Sequence, residues 1–232
     1  KHPNQTTLRI LATSDLHMHL RGFNYAANIP DDRNGLARLS TLISKARADV
    51  TFGSCLLLDN GDALQGTALA DTLRDQPVHH PLATTFNALG YDAIGLGNHD
   101  FDFGVDYCAR VTAQYDAPVV STNLHTTGLD ALRPWTIVQR EMLCEDGQTR
   151  GLNIGILSVL PPQTLLWNHG QFPQSASIDP MIAAAKNGSA TLKSMGADVV
   201  ILLAHSGIGC LETDLESENS ALHMAAIGDI DA

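Results

Sequence analysis

The chain has 232 residues, 44% of them hydrophobic and 17% charged, which is enough for one large domain with a full core or for two small ones. With a formal net charge of −11 and only 14 Lys plus Arg, it lacks the basic face by which a non-specific nucleic-acid binder displaces counterions. An acidic protein can still handle a phosphate where bound cations reverse the local field.

No segment approaches the roughly 18 apolar residues of a membrane span; the longest such run lies near Val199–Ala204. The opening Lys-His-Pro-Asn-Gln-Thr has no apolar signal region, which fits a cytosolic protein or a secreted one already processed. Cys55, Cys108, Cys144 and Cys210 show no CxxC or tight Cys/His spacing, which argues against a zinc ribbon. Three pairings among them, or free thiols, are all compatible with the sequence, and Cys55 reads as a small buried hydrophobe opening a core strand.

In chain order, residues 7–13 predict an opening strand that ends at Ser14-Asp15-Leu16-His17-Met18-His19. A polar loop over 21–34 follows, with Asp31-Asp32 in it. Residues 35–47 carry Leu36, Leu39, Leu42 and Ile43 at helical spacing. The next apolar run, 54–59, ends at Asn60-Gly61-Asp62. Helices are predicted over 69–74 and 81–89, then a buried strand over 91–97 running into Asn98-His99-Asp100-Phe101-Asp102. A helix over 105–115 and a short strand over 117–123 follow. Residues 135–142 and 150–159 flank Glu145-Asp-Gly-Gln148, a hairpin signal, so the sheet is mixed or there are two sheets. A polar stretch with two prolines and Trp167 leads to a helix over 180–195, with Ser177 or Asp179 as caps. The most apolar strand, 197–204, ends at His205-Ser206-Gly207, and a last helix spans 220–227. With no linker, repeat or composition shift, one α/β domain is expected, its sheet buried and covered by helices on both faces.

Four strands therefore end in metal-competent groups: Asp15 with His17, Asp62, Asn98 with His99, and His205. Any one strand-end Asp reads equally as a turn former or helix cap. In an open α/β sheet, however, side chains beyond the carboxyl ends of neighbouring strands converge on one crevice. Imidazole with carboxylate and amide oxygens, and no thiolate, suits zinc, manganese, iron, cobalt or nickel rather than a calcium cage. A carboxylate can bridge two cations about 3.5–4 Å apart, which neutralise a phosphate and activate water, while a nearby imidazole stabilises the phosphoryl oxygens or protonates the leaving oxygen.

Asp15-x-His17, Gly61-Asp62, Gly97-Asn98-His99-Asp100 and Ala204-His205-Ser206 resemble the successive blocks of the calcineurin-like metallophosphoesterases, in their nucleotidase branch. Residues 13–17, 58–66 with 69–71, Leu160-Pro-Pro-Gln163 and Glu218-Asn-Ser220 are most similar to the bacterial 2′,3′-cyclic-nucleotide 2′-phosphodiesterase/3′-nucleotidases. The resemblance implies a four-layer α-β-β-α metallophosphoesterase sandwich with mixed sheets and two divalent metal ions (Mn, Zn, Co, Fe, Ni or Mg). It implies Asp15 and His17 on one metal, Asp62 bridging, and Asn98 and His205 on the second. His99 is then the catalytic histidine, oriented by Asp102. Asp100 stands where the family usually has Glu and is expected to be a structural carboxylate. His19 has no ligand counterpart and is expected at the surface or behind the ligands.

The implied activity is hydrolysis of 2′,3′-cyclic nucleotides to 3′-nucleotides, then to nucleoside and phosphate. A 5′-nucleotidase or nucleotide-sugar hydrolase is the alternative, because Asp102 matches that branch where the cyclic phosphodiesterases often have Asn. The family's next block, Gly-His-x-His or Gly-His-x-Gln, is expected just after Asp231-Ala232. Residues 1–232 would then lack one ligand for each metal and the C-terminal nucleotide-binding domain, giving a weakly active or inactive metal-binding piece. The expected partner is a small nucleotide, not a nucleic-acid polymer or a membrane, and the expected location is periplasmic or secreted.

Overall fold

The structure, a computed structural model, describes residues 5–51, 53–76, 78–210, 212 and 218–232. Five strands form an entirely parallel sheet in the order β1 (Leu8–Thr13), β2 (Ser54–Asp59), β3 (Ala93–Gly95), β4 (Val119–Val120) and β5 (Leu132–Arg133). The connections between them carry α1 (Leu36–Ala48), α2 (Ala68–Leu73), α3 (Pro81–Leu89) and α4 (Val105–Thr112). A second sheet is mixed: β6 (Trp135–Leu143) pairs antiparallel with β7 (Thr149–Val159), and β7 pairs parallel with β8 (Val199–Ala204). Helix α5 (Met181–Ser194) lies in the crossover that a parallel β7–β8 pair requires.

Alternation along β2 explains the layering. Leu57 faces Leu36, Ile43, Leu82, Phe86 and Val111 from the helices. Leu56 and Leu58 face the other way, onto Ile154, Ile156, Ile201 and Leu203 of the second sheet. All three leucines are fully buried, each worth about 1.5–3 kcal/mol relative to exposure. The outer face of the second sheet, Leu157, Val159 and Val200, is covered by Met181, Ala185 and Leu192 of α5. The result is an α-β-β-α stack with one parallel and one mixed sheet.

The stack is the four-layer sandwich that the resemblance implies, and it corrects only the separate reading of one sheet covered by helices on both faces. A strand buried on both sides reads as a continuous apolar run whatever covers it, so β2 could not announce a second sheet. Other differences are local. Within the polar loop, Phe23–Asn24 and Ile29–Pro30 pair antiparallel. Only Val119 and Val120 of the expected 117–123 strand enter the parallel sheet, and Leu124–His125 pairs instead with Ser177–Ile178. Ser177 is thereby taken up in a ladder, and α5 begins after Pro180 with no side-chain cap. Cys55, Cys108 and Cys144 are free thiols, and Cys55 is only half-buried.

Candidate active site

β1 and β2 run parallel with Thr13 opposite Asp59, so both strands release the chain at one level. Their exit loops keep pairing: the N–H groups of Asp15, His17 and Met18 donate to the carbonyls of Gly61 (3.0 Å), Asp62 (2.9 Å) and Ala63 (2.9 Å). β7 and β8 end with Val159 opposite Ala204, which puts His205 just past the second sheet, its N–H bonded to Val159 (3.0 Å). Asn98 and His99 follow β3 directly, His99 opening the short 3₁₀ turn His99–Phe101.

The backbone that delivers these groups is strained. Asp15, His17, Met18 and Asp62 have φ of +54°, +45°, +57° and +58°, four of the five non-glycine residues with positive φ among those described. Such conformations cost about 1–3 kcal/mol each and persist only where the surroundings over-determine them. Asp100 does much of that. Its carboxylate, in a residue 2% exposed, accepts from the N–H groups of Asp62 (2.8 Å) and Gly97 (2.9 Å) on Oδ2, and from Ala63 (2.9 Å) and Leu64 (3.0 Å) on Oδ1. Burial and the nearby Asp62 push its pKa up, yet all four contacts are N–H donors, the arrangement that suits the carboxylate form. This is a structural role, and a larger one than closing a helix start.

Donor atoms of Asp15, His17 and Asp62 lie within 4.8 Å of one another. His17 Nδ1 lies 2.7 Å from the Gln65 carbonyl and His205 Nδ1 2.9 Å from the Asn60 carbonyl. A carbonyl only accepts, so both rings carry hydrogen on Nδ1 and present Nε2, the tautomer of a metal-binding histidine. His205 Nε2 faces Asp62 Oδ2 at 3.1 Å. Asp62, 2% exposed, therefore touches the His205 side and the Asp15/His17 side at once. Asn98 joins Asp15 and His205 on the wall of one cleft of about 330 Å³. The donor set fits a first-row transition metal.

Electrostatics agree with a cation site. Burial disfavours both charges, but the Asp62–His205 contact, with the His99 N–H on Asp62 Oδ1 (2.7 Å), holds Asp62 below the usual carboxylate range. Burial would lower His205 too, yet Asp62 and the Asn60 carbonyl raise it to about 9. The contact favours a proton between His205 Nε2 and Asp62, and a cation held by both must displace it.

His99 packs edge-on against His17, ring centroids 5.2 Å apart. Its Nδ1 donates to Asp102 Oδ2 (2.8 Å), leaving Nε2 free. Burial would lower its pKa; the hydrogen bond to Asp102 and the charge of Asp62 more than reverse this, and the net shift is upward.

All seven expected residues are brought to one end of the stack. His19 lies beside them, half-buried in the recess that also holds Asp15, with its Nδ1 enclosed and without a partner. Several contributors were invisible in the sequence. The Asn60 and Gln65 carbonyls fix two imidazoles, and backbone carbonyls carry no side-chain signal. Asn168, which donates to Asp102 Oδ1 (2.7 Å), and Trp167, which lines the cleft, lie in a stretch legible only as polar. Gly97 is the exception, since its place in the motif has a steric reason: a Cβ there would lie 2.2 Å from Asp62 Oδ1 and 2.6 Å from His205 Cε1.

Residues 8–231 match the calcineurin-like phosphoesterase family. The chain is 32% identical to the 2′,3′-cyclic-nucleotide 2′-phosphodiesterase/3′-nucleotidase of Haemophilus influenzae, over 100% of this chain and 36% of that protein. It is 30% identical to the 5′-nucleotidase of Bos taurus, over 86% of this chain and 34% of that one. Among solved structures, the calcineurin-like phosphoesterase YfkN from Bacillus subtilis superposes with a TM-score of 0.88 at 31% identity, covering 98% of this chain and 71% of the other. The chain thus spans about a third of the length of those curated relatives.

Proposed function

This chain belongs to the calcineurin-like phosphoesterases, in their nucleotidase branch, and from that premise we propose that it is the metal-binding part of an enzyme hydrolysing 2′,3′-cyclic nucleotides and then 3′-nucleotides. One observation carries the reading most: Asp62 links two sets of nitrogen and oxygen donors, and the His99–Asp102 pair stands directly beside them.

Asp15 and His17 would hold one metal, Asn98 and His205 the second, with Asp62 on both. When bound, the two ions would supply charge to neutralise the phosphate and to acidify a water. The protein's own groups do the rest. The carbonyls of Gln65 and Asn60 keep His17 and His205 in the ligand tautomer. Asp100 clamps the loop that carries Asp62. Asp102 holds the proton on His99 Nδ1, so Nε2 is the atom that meets the phosphate side. Its raised pKa favours the imidazolium, which can protonate the leaving alkoxide.

The cyclic-nucleotide substrate is favoured because the relative of that activity matches the whole chain, against 86% for the 5′-nucleotidase. A 5′-nucleotidase is the second reading, supported by the 30% identity to the Bos taurus protein of that name. The remaining metal ligands and the base-binding domain would be supplied by sequence beyond residue 232, in a protein working in the periplasm or outside the cell. The deciding experiment loads the full-length protein with Mn²⁺ and follows 2′,3′-cyclic AMP to 3′-AMP, adenosine and phosphate, beside 5′-AMP. Turnover of 5′-AMP without the cyclic nucleotide would replace the first reading by the second. Specific activity of residues 1–232 equal to the full-length protein would refute the placing of ligands beyond residue 232.

A further inference from the structure

We propose that Asn168 is a positioning residue for His99, acting through Asp102, so that the Asp102–Asn168 pair, rather than Asp102 alone, sets the direction of the imidazole. What His99 does rests on the phosphoesterase reading; how it is held rests on geometry alone.

Asp102 is used on both oxygens. Oδ2 takes the Nδ1 hydrogen of His99 at 2.8 Å and Oδ1 takes an Nδ2 hydrogen of Asn168 at 2.7 Å. The second contact matters because the terminal torsion of an aspartate is soft. A carboxylate anchored only by the imidazole can turn about that torsion and carry the ring with it. Asn168 supplies the second fixed point. It is 6% exposed, its N–H donates to the Thr164 carbonyl (2.9 Å), and its own carbonyl accepts from Gln171 (3.0 Å). Gln171 in turn uses its carbonyl to accept from Val105, the first residue of α4, three positions after Asp102. The segment that holds the pair is therefore tied to the helix that follows it.

The amide can face only one way. Turned over, it would set its oxygen against the Asp102 carboxylate. In the observed sense its Oδ1 is enclosed and without a partner, an unfavourable state that the charge-assisted bond to Asp102 must outweigh. The pair's chemistry is also exchangeable. With Asn at 102 and Asp at 168, the Asn oxygen accepts from His99 Nδ1 and its NH₂ donates to the new carboxylate. The same ring orientation results, so an Asn at position 102 is compatible with this site when a carboxylate stands at 168. Asp102 by itself then says nothing about which substrate is cut.

The test uses the full-length protein, Mn²⁺-loaded for turnover of bis(p-nitrophenyl) phosphate and loaded with diamagnetic Zn²⁺ for nitrogen-15 NMR of the histidine rings, a readout that needs no turnover. Asn168→Asp sets two carboxylates face to face. It is expected to lower kcat by about 10–100-fold, the usual weight of a group behind a metal-site residue, with KM and metal content unchanged. Adding Asp102→Asn to Asn168→Asp should recover about tenfold or more of that loss, the non-additivity of residues in one bonded unit. Asn168→Ala, which tests the same contact should Asn168→Asp fail to fold, is expected to lower kcat and to shift or broaden the His99 Nδ1–H resonance. Wild-type kcat and an unchanged resonance in Asn168→Ala would overturn the proposal, as would a double variant no better than Asn168→Asp. If the wild type cleaves no phosphoester, the functional reading fails, while the NMR comparison still decides the positioning role.

Discussion

Gly97→Ala is the most discriminating single change at this site. Gly97 is not among the glycines with positive φ, so an alanine there meets no backbone strain and acts as a purely steric probe. Its Cβ would lie 2.2 Å from Asp62 Oδ1, 2.6 Å from His205 Cε1 and 2.7 Å from His205 Nε2. Ordinary contact begins near 3.4 Å, so Asp62 must move by about 1 Å, a displacement that can cost 10²-fold in a positioned site. Oδ1 cannot move freely, because it accepts the His99 N–H at 2.7 Å. The crowding should cost about 1–3 kcal/mol, each kcal/mol lowering Tm by about 2–4 °C at this chain length. The control is Gly151→Ala, where no atom lies within 4 Å of the new Cβ. Isothermal titration with Mn²⁺ and thermal melts of the metal-free protein test this directly. Gly97→Ala should bind metal at least tenfold more weakly than Gly151→Ala and melt lower. If the two bind and melt alike, the contact between β3's exit and the Asp62–His205 pair is not as tight as argued.

His99→Asn should keep wild-type metal content while lowering turnover by about 10²–10⁴, whereas Asp62→Ala should lower metal stoichiometry on both sides; loss of metal from His99→Asn would remove it from the catalytic role. Asp100→Asn can satisfy one pair of the four N–H groups but not the other, leaving two buried donors at about 1–3 kcal/mol each, so urea denaturation should show a loss of about 2–6 kcal/mol together with weakened metal binding. Acid stability should reflect two buried groups of opposite sign. His80, 3% exposed, is held to about 4 by burial and by the charges of Arg110 and His79. Its contribution is complete above pH 6.5 and lost as the unfolded chain alone takes the proton between 6.5 and 4, by at most about 1.4 kcal/mol per pH unit. Burial raises Asp59 to about 8, so there the folded state holds the extra proton and stability rises as pH falls from 8 towards 4. Denaturant midpoints from pH 7 to 5 should therefore fall more steeply in Asp59→Asn and less steeply in His80→Gln than in the wild type; identical slopes in all three would exclude both shifts.

What the sequence revealed about this site depends on how far apart in the chain the cooperating groups lie. Asp15 with His17, Gly61 with Asp62, and Gly97 through Asp102 each sit within six residues at the end of one apolar run, so pattern and chemistry were readable together. The convergence of these blocks also followed, because parallel strands such as β1 and β2 end side by side. The second sheet was legible only as one of two options from the 135–142/150–159 hairpin, since Leu56 and Leu58 would be apolar whether helix or sheet lay against them. Asn168 stands 66 positions from its partner, in a loop where nothing marks it out from the polar residues around it. The same distance bears on Asp102 as a marker of the substrate. Read alone, it looks like a choice between nucleotidase branches. Placed between His99 and Asn168, it is one half of an acid–amide pair, and the property that selection could preserve is the pair's combined donor and acceptor pattern. Substrate choice then has to be sought elsewhere, at the cleft wall where Trp167, half-exposed, stands beside Pro161, Glu218 and Asn219. Those groups line the cleft beside Asn98 and His205, whereas Asp102 is not on its wall and turns one oxygen to His99 and the other to Asn168.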